Sequence, residues 1–238
     1  MKNIAVIFAG GVGSRMGNSI PKQFLEWNDK AIIIQTIEVF ERVEAIDGII
    51  LVCKNEWIDY CKGLIKKANL KKVLSVVAGG STALDSQYNG IKEIKRLFEN
   101  EKVITLIHDG VRPLVTKETI LKNIESVKKY GNAITVTPAI ETVITINQTE
   151  NVDRIIDRSK CRMAKAPQSF WLDDILKVHE ESISEEKHNY IDSASMMMAY
   201  GYRLHIIEGE MENIKITTPS DYYMYLGISK ERSTQNDK

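Results

Sequence analysis

Ile4-Ala5-Val6-Ile7-Phe8 runs without a break into Ala9-Gly10-Gly11-Val12-Gly13-Ser14-Arg15-Met16-Gly17, and Pro21-Lys22-Gln23 follows after a short gap. The apolar run has the character of a fully buried parallel strand. The glycines after it let backbone approach a ligand closely and present N–H groups to an oxyanion. Arg15 and Lys22 can then neutralise a polyphosphate. A plain βα turn with a solvated charge pair is the simpler reading, but glycines, arginine and lysine converge on one strand end. Two familiar phosphate loops do not fit. A dinucleotide fingerprint needs glycine where Met16 stands, and the expected second strand, Gly48–Cys53, ends without an acidic residue for a ribose. A Walker loop needs Gly-Lys-Ser/Thr, whereas Gly17 is followed by Asn18-Ser19.

Downstream of this loop, strand and helix patterns alternate. Strands are predicted at 3–8, 47–53, 72–77 and 103–108, and helices at 31–43, 55–68, 84–99 and 117–130, the last started by Thr116. Such alternation gives an α/β fold with a mostly parallel sheet flanked by helices. Ligands of these sheets bind beyond the carboxyl ends of the strands, which gathers loops 9–23, 78–86 and 108–114 around one crevice. The pattern changes near residue 133. Ala133–Thr137, Thr142–Ile146 and Val152–Ile156 read as strands, with a turn at Asn147–Asn151. A hairpin there buries too little to stand alone, so residues 133–160 are expected to form a protruding β-arm that packs on a second copy. Helical spacing returns at 171–181, 192–201 and 219–229 around a strand at 203–207. Residues 1–230 are read as a single domain and 231–238 as a frayed polar tail.

Bulk properties narrow the class. The 238 residues are 43% hydrophobic and 27% charged, as in ordinary globular proteins. Lys+Arg and Asp+Glu balance at 32 each, so there is no basic field to attract nucleic acid. No segment reaches the ~18 apolar residues of a membrane span, and the first residues enter a strand with no charged leader. A cytoplasmic protein is expected. Cys53, Cys61 and Cys161 lack metal-ligand spacing.

The opening loop resembles the Ala-Gly-Gly-x-Gly-x-Arg-Met…Pro-Lys signature of nucleotidyltransferases with the sugar-nucleotide fold. Pro21-Lys22-Gln23-Phe24-Leu25 resembles its cytidylyltransferase branch, which makes the CDP derivatives of 2-C-methyl-D-erythritol 4-phosphate and ribitol 5-phosphate. Four further segments resemble that branch in order. They are Gly79-Gly80-Ser81 through Asp85, Ser86, Asn89 and Gly90; His108-Asp109 with Arg112-Pro113; Thr142 and Arg158 with Ala166-Pro167-Gln168; and Asn213-Ile214-Lys215-Ile216-Thr217. The resemblance implies a Rossmann-like nucleotidyltransferase fold and transfer of CMP from CTP to a polyol phosphate. It implies Arg15, Lys22 and Lys215 as catalytic residues. CTP is expected at Ala9, Gly10, Gly11, Gly13, Gly79, Gly80, Ser81, Ser86 and Asp109. The acceptor is expected at Asp109, Arg112, Thr142 and Arg158, with Mg2+ on Asp109 and a homodimer as the assembly.

Each residue also has a structural reading. Asp109 and Arg112 can form an ion pair that closes their turn, and Asp85 or Ser86 can cap a helix. Lys215 can be a surface lysine, and Asp192 reads better as a helix cap than as a ligand. Three departures stand out. Ala83 replaces an arginine usual near the triphosphate, Ala166 replaces a threonine, and Ile144 replaces a lysine common in the methylerythritol branch. The last two losses point to a different polyol pocket and favour D-ribitol 5-phosphate. The methylerythritol enzyme is the alternative. Use of another NTP with a sugar 1-phosphate stays open, as does a non-catalytic nucleotide-binding regulatory subunit.

Overall fold

The computed structural model describes residues 1–10, 21–187 and 189–236. In chain order the strands are β1 (Lys2–Ala9), β2 (Glu26–Trp27), β3 (Lys30–Ala31), β4 (Gly48–Cys53), β5 (Val73–Ala78), β6 (Val103–Asp109), β7 (Asn132–Pro138), β8 (Val143–Ile146), β9 (Val152–Ile156), β10 (Arg162–Trp171) and β11 (Ile206–Glu208). The helices are α1 (Ile32–Glu41), α2 (Ile58–Lys67), α3 (Ala83–Leu97), α4 (Lys117–Tyr130), α5 (Leu172–Ser184), α6 (Ser193–Ala199) and α7 (Pro219–Asn236). Seven strands form one sheet in the order β11-β7-β10-β6-β1-β4-β5. Only β10 opposes its neighbours, pairing antiparallel with both β6 and β7.

Strand alternation divides the core into two layers. Ala5, Ile7, Ile49, Leu51 and Cys53 face α1, α2 and α4, where Ile33, Ile37, Phe40, Cys61, Ile120 and Ile124 meet them. Ile4, Val6, Ile50 and Val52 face Ile91 and Ile94 of α3, Ile175 and Val178 of α5, and Met196 and Met197 of α6. Both faces of β1 and β4 are thus covered, which is why their sequences are unbroken apolar runs. Gly90 brings α3 close to the sheet, since a Cβ there would lie 2.6 Å from Val6 Cγ1. Helix α4 starts where the sequence places it. Thr116 caps α4 by accepting from Thr119 N, and Gly131 ends it at φ 87°.

The structure corrects the expected bounds of the arm and of the tail. Residues 132–138 do not belong to the arm: β7 is buried over Asn132–Thr137 and lies in the central sheet between β10 and β11. The projecting part is the β8–β9 hairpin and its flanks, which pair only with each other. The stretch around Pro167, to which the sequence pattern assigns no element, is strand β10. It carries an irregularity in which Ala164 pairs with Val136 and Gln168 with Ile134. The tail is not frayed from residue 231. Helix α7 continues to Asn236, and Arg232 donates to Leu114 O at 3.1 Å and to Glu212 at 2.6 Å. Among the described residues, no helix is long and apolar enough to cross a membrane.

Candidate active site

A cavity of about 630 Å³ opens at the carboxyl ends of β1 and β6 and beside the loop after β5. Ala9 and Gly10 line it from the end of β1. Lys22 lines it from a single 3-10 turn, Lys22–Phe24, anchored by the next residue: Gln23 is buried and donates Nε2 to Ala9 O at 3.2 Å. The segment carrying Lys22 is therefore tied to the strand end it faces. Gly11, Gly13 and Arg15 lie outside the described residues.

The loop after β5 is built from backbone and one serine. Gly79 N donates to Cys53 O at 2.8 Å, and Gly80 N donates to Ser86 Oγ at 3.1 Å. Ser86 in turn donates to Thr82 O at 2.9 Å. A Cβ on Gly79 would sit 2.8 Å from Ser86 Oγ, so the loop needs glycine to close on that hydroxyl. Gly80, Ser81 and Ser86 line the cavity; Gly79 sits behind them as a brace. Asp85 takes the structural role that its sequence allowed. Thr82 is the N-cap of α3, and Asp85 completes the capping box by accepting from Thr82 N at 2.9 Å and Ser81 Oγ at 2.6 Å.

The end of β6 carries the charged centre. Asp109 is 7% exposed; one carboxylate oxygen accepts from Arg112 Nε at 2.8 Å and the other from Lys215 Nζ at 2.6 Å. Burial pushes the Asp109 carboxyl up, but the two cations outweigh it and hold the group at about 2. It is ionised at any working pH. Lys215 arrives on a segment laced to the core: Ile216 N donates to Val111 O at 3.0 Å, and buried Asn213 donates to Ala166 O at 2.7 Å. Arg112 Nη1 also donates to Asn213 O at 2.8 Å, so Arg112 joins β6 to the Lys215 segment. The ion pair foreseen between Asp109 and Arg112 is present, and Lys215 is no isolated surface lysine. His108, fully buried, donates Nε2–H to Arg112 O at 3.1 Å, while Nδ1 has no partner. Burial lowers its imidazole to about 4, so the ring is neutral and serves to hold the turn.

A second cavity of about 210 Å³ adjoins the first. The two share Phe8, Ala83, Asp109 and Lys215 in their walls. Arg112 lines the smaller one, as do Lys165 and Gln168 of β10 and Asp192, the N-cap of α6. Thr142 and Arg158 line neither. Both are exposed on the arm, where Arg158 donates to Ile140 O at 2.6 Å.

Two adjoining cavities that share an ionised carboxylate and its lysine fit a protein that brings two anionic substrates together. The comparisons with known proteins agree. The model of the 2-C-methyl-D-erythritol 4-phosphate cytidylyltransferase family (IspD) matches residues 3–226. The chain belongs to this cytidylyltransferase family. It is 47% identical over 236 residues to a ribitol-5-phosphate cytidylyltransferase of Streptococcus agalactiae serotype V, covering 99% of this chain and 98% of the relative. It is 48% identical over 227 residues to the ribitol-5-phosphate cytidylyltransferase of Vibrio parahaemolyticus serotype O3:K6, with 95% of each covered. A solved structure of 4-diphosphocytidyl-2C-methyl-D-erythritol synthase from Anaerococcus prevotii superposes with a TM-score of 0.83 at 27% identity over 96% of both chains. The fold and the enzyme class, a nucleotidyltransferase, are those expected from the sequence.

Asp109 is the carboxylate that could take a hard cation here, once a phosphate draws Lys215 away from it. Mg2+ is commonly held by one or two carboxylates with phosphate oxygens completing its shell. Asp109 is such a carboxylate at the junction of the cavities; among the described residues, no cluster of three His, Cys, Asp or Glu offers an all-protein site.

Several cavity-lining residues carry no site role in the sequence reading, although Gln168 and Thr217 lie in its motifs and Asp192 is read there as a helix cap. Lys54 and Thr217 line the larger cavity, and Gln87, Lys165, Gln168 and Asp192 the smaller. Lys54 was within reach, because it directly follows β4 and the carboxyl-end rule points there. Gln87 had no local signal, since its place is set by α3 packing against α6, where Ser193 Oγ donates to it at 2.7 Å.

Proposed function

We propose that this protein transfers CMP from CTP to D-ribitol 5-phosphate, giving CDP-ribitol and pyrophosphate. The observation that carries this reading is the pair of cavities meeting at Asp109 and Lys215. The larger takes CTP, with cytosine against the Gly80-Ser81 and Ser86 loop and the triphosphate toward Gly10, Lys22 and Lys215. The smaller takes the acceptor. Its phosphate, largely dianionic near pH 7, then lies at the shared wall beside the α-phosphorus. A phosphate oxygen attacks that phosphorus in line, the bond to the bridging oxygen breaks, and pyrophosphate leaves with the electron pair. No proton has to be removed from the nucleophile. Catalysis is therefore positioning and charge stabilisation, which Lys22, Lys215 and Arg15 supply. In the resting site Lys215 is held by Asp109; an incoming triphosphate competes for its ammonium. Mg2+, when bound by Asp109 and the phosphates, would neutralise part of the triphosphate charge.

The acceptor assignment draws on the relatives at 47% and 48% identity, which are named for ribitol 5-phosphate, and on Ile144 and Ala166. Pyrophosphate release from CTP with D-ribitol 5-phosphate against 2-C-methyl-D-erythritol 4-phosphate tests it. Preference for the second would reassign the acceptor, and equal turnover with ATP would remove the cytidylyltransferase reading.

The arm supports a homodimer. Ile144, Ile146, Val152 and Ile155 are exposed on a two-stranded sheet too small to be stable alone, and Ile140 is exposed just before it. Thr142 and Arg158 sit on that arm, away from both cavities of their own chain. In a symmetric dimer each arm delivers these residues to the partner's acceptor phosphate.

A further inference from the structure

The smaller cavity is lined by three cations and two carboxylates, and their pairing is uneven. Arg112 and Lys215 are both committed to Asp109. Lys165 and Asp192 have no ionic partner among the described residues. Lys165 Nζ donates only to neutral carbonyls, Met211 O at 3.1 Å and Asn213 O at 3.3 Å. An ammonium has three donors, so one remains for a ligand. Asp192 accepts from Ser195 N at 2.8 Å and from Gln168 Nε2 at 2.7 Å, which leaves further lone pairs on its two oxygens.

The backbone places Lys165 there for a reason visible in the sheet. Between the pairs Ala164–Val136 and Gln168–Ile134, β10 has three residues where β7 has one. Such a bulge re-aims side chains out of the strand alternation. Lys165 is half-buried in consequence, and burial followed by the field of Arg112 lowers its ammonium from the usual lysine value. A charge kept in that position without an anion needs polar partners.

Given the proposed reaction, the acceptor phosphate belongs at the wall shared with the CTP cavity, beside Lys215. Its hydroxyl-bearing chain then extends toward the remaining wall. We infer that Lys165 is a specificity-determining residue that donates to the hydroxyls at the far end of the polyol, with Asp192 accepting from them. A hydroxyl both donates and accepts, so one unpaired ammonium and one unpaired carboxylate in a single wall suit a chain of neighbouring hydroxyls. A second phosphate would be repelled by Asp192.

This role rests on the proposed acceptor site, and the experiment separates the two. Wild type, Lys165→Met and Lys165→Arg are assayed for pyrophosphate release with CTP and D-ribitol 5-phosphate. Glycerol 3-phosphate, which lacks the far hydroxyls, is measured as a competitive inhibitor against the same acceptor. Lys165→Met should raise KM for ribitol 5-phosphate roughly tenfold or more, on the scale of one charged hydrogen bond, with Lys165→Arg recovering part of the loss. KM for CTP and the inhibition constant of glycerol 3-phosphate should stay within about twofold, as expected of groups the residue does not touch. A merely structural role, bracing the 211–213 segment that precedes Lys215, would instead lower kcat and weaken CTP and glycerol 3-phosphate alike. That pattern, or an unchanged KM for ribitol 5-phosphate, overturns the role of Lys165 alone. Failure of the wild type to turn over any polyol phosphate overturns the proposed function and this role with it.

Discussion

Replacing Asp109 with asparagine keeps the shape of the side chain and removes the charge between Arg112 and Lys215. In the folded protein the carboxyl titrates at about 2, against an ordinary value of 3.8, because two cations at 2.8 and 2.6 Å outweigh the cost of burial. At ~1.4 kcal/mol per pH unit, that difference favours the folded state by roughly 2 kcal/mol at neutral pH. The folded value lies below the unfolded one. The stabilisation is therefore complete above about pH 4 and lost as pH falls through about 2, with roughly half left at pH 3. Asp109→Asn should thus lower stability by about 2 kcal/mol at pH 7, or ~4–8 °C in Tm for a chain of this size. Urea unfolding at pH 7 and pH 3 measures it, and the gap to wild type should narrow by about half at the lower pH. Pyrophosphate release should fall by ~10²-fold or more, since Lys215 loses its anchor at the shared wall. No loss of stability at pH 7, or a gap as wide at pH 3, would show that the Asp109 cluster does not hold the site together. Near-normal turnover would remove Asp109 from the reaction.

Other outcomes follow from the same geometry. Lys22→Ala should cut kcat by ~10²-fold with little change in unfolding, because Lys22 lies at the mouth of the cavity outside the packed layers; near-normal kcat would exclude it from the triphosphate site. Mixing Lys22→Ala with Arg158→Ala under subunit exchange should restore about 25% of wild-type activity, since half the dimers are mixed and each holds one intact site. No recovery despite exchange would refute an arm that reaches its partner. His179 is buried with Nε2 unpartnered, and burial lowers it to about 4, so folding loses stability as pH drops from the ordinary value near 6.5 toward 4. His179→Phe should remove roughly 2 kcal/mol of the wild-type loss between pH 7 and pH 5, read as a flatter dependence of urea midpoint on pH; an unchanged slope would count against it.

The alternation of strands and helices was legible before folding, because periodicity and the Thr116 cap are local features that tertiary packing reinforced. Most segments that line the cavities were legible too: Ala9-Gly10, Gly79-Gly80, Asp109 and Lys215 lie in contiguous motifs, readable without knowing what they face. The cytidylyltransferase family was readable from those motifs in order. Three things were left to the tertiary structure. Strand β10 is antiparallel and bulged between β6 and β7, so no period of two reveals it, and Lys165 lies within the bulge and in the wall of a cavity. Residues 132–138 read locally like the rest of the arm, and only pairing with β10 and β11 assigns them to the core. Last, Asp109 lies 106 residues before Lys215, and the 2.6 Å contact that joins two cavities at one charged centre is made by β6 and the 213–216 segment folding together. Local sequence fixes what each strand end can do; long-range packing decides which of those ends share a site.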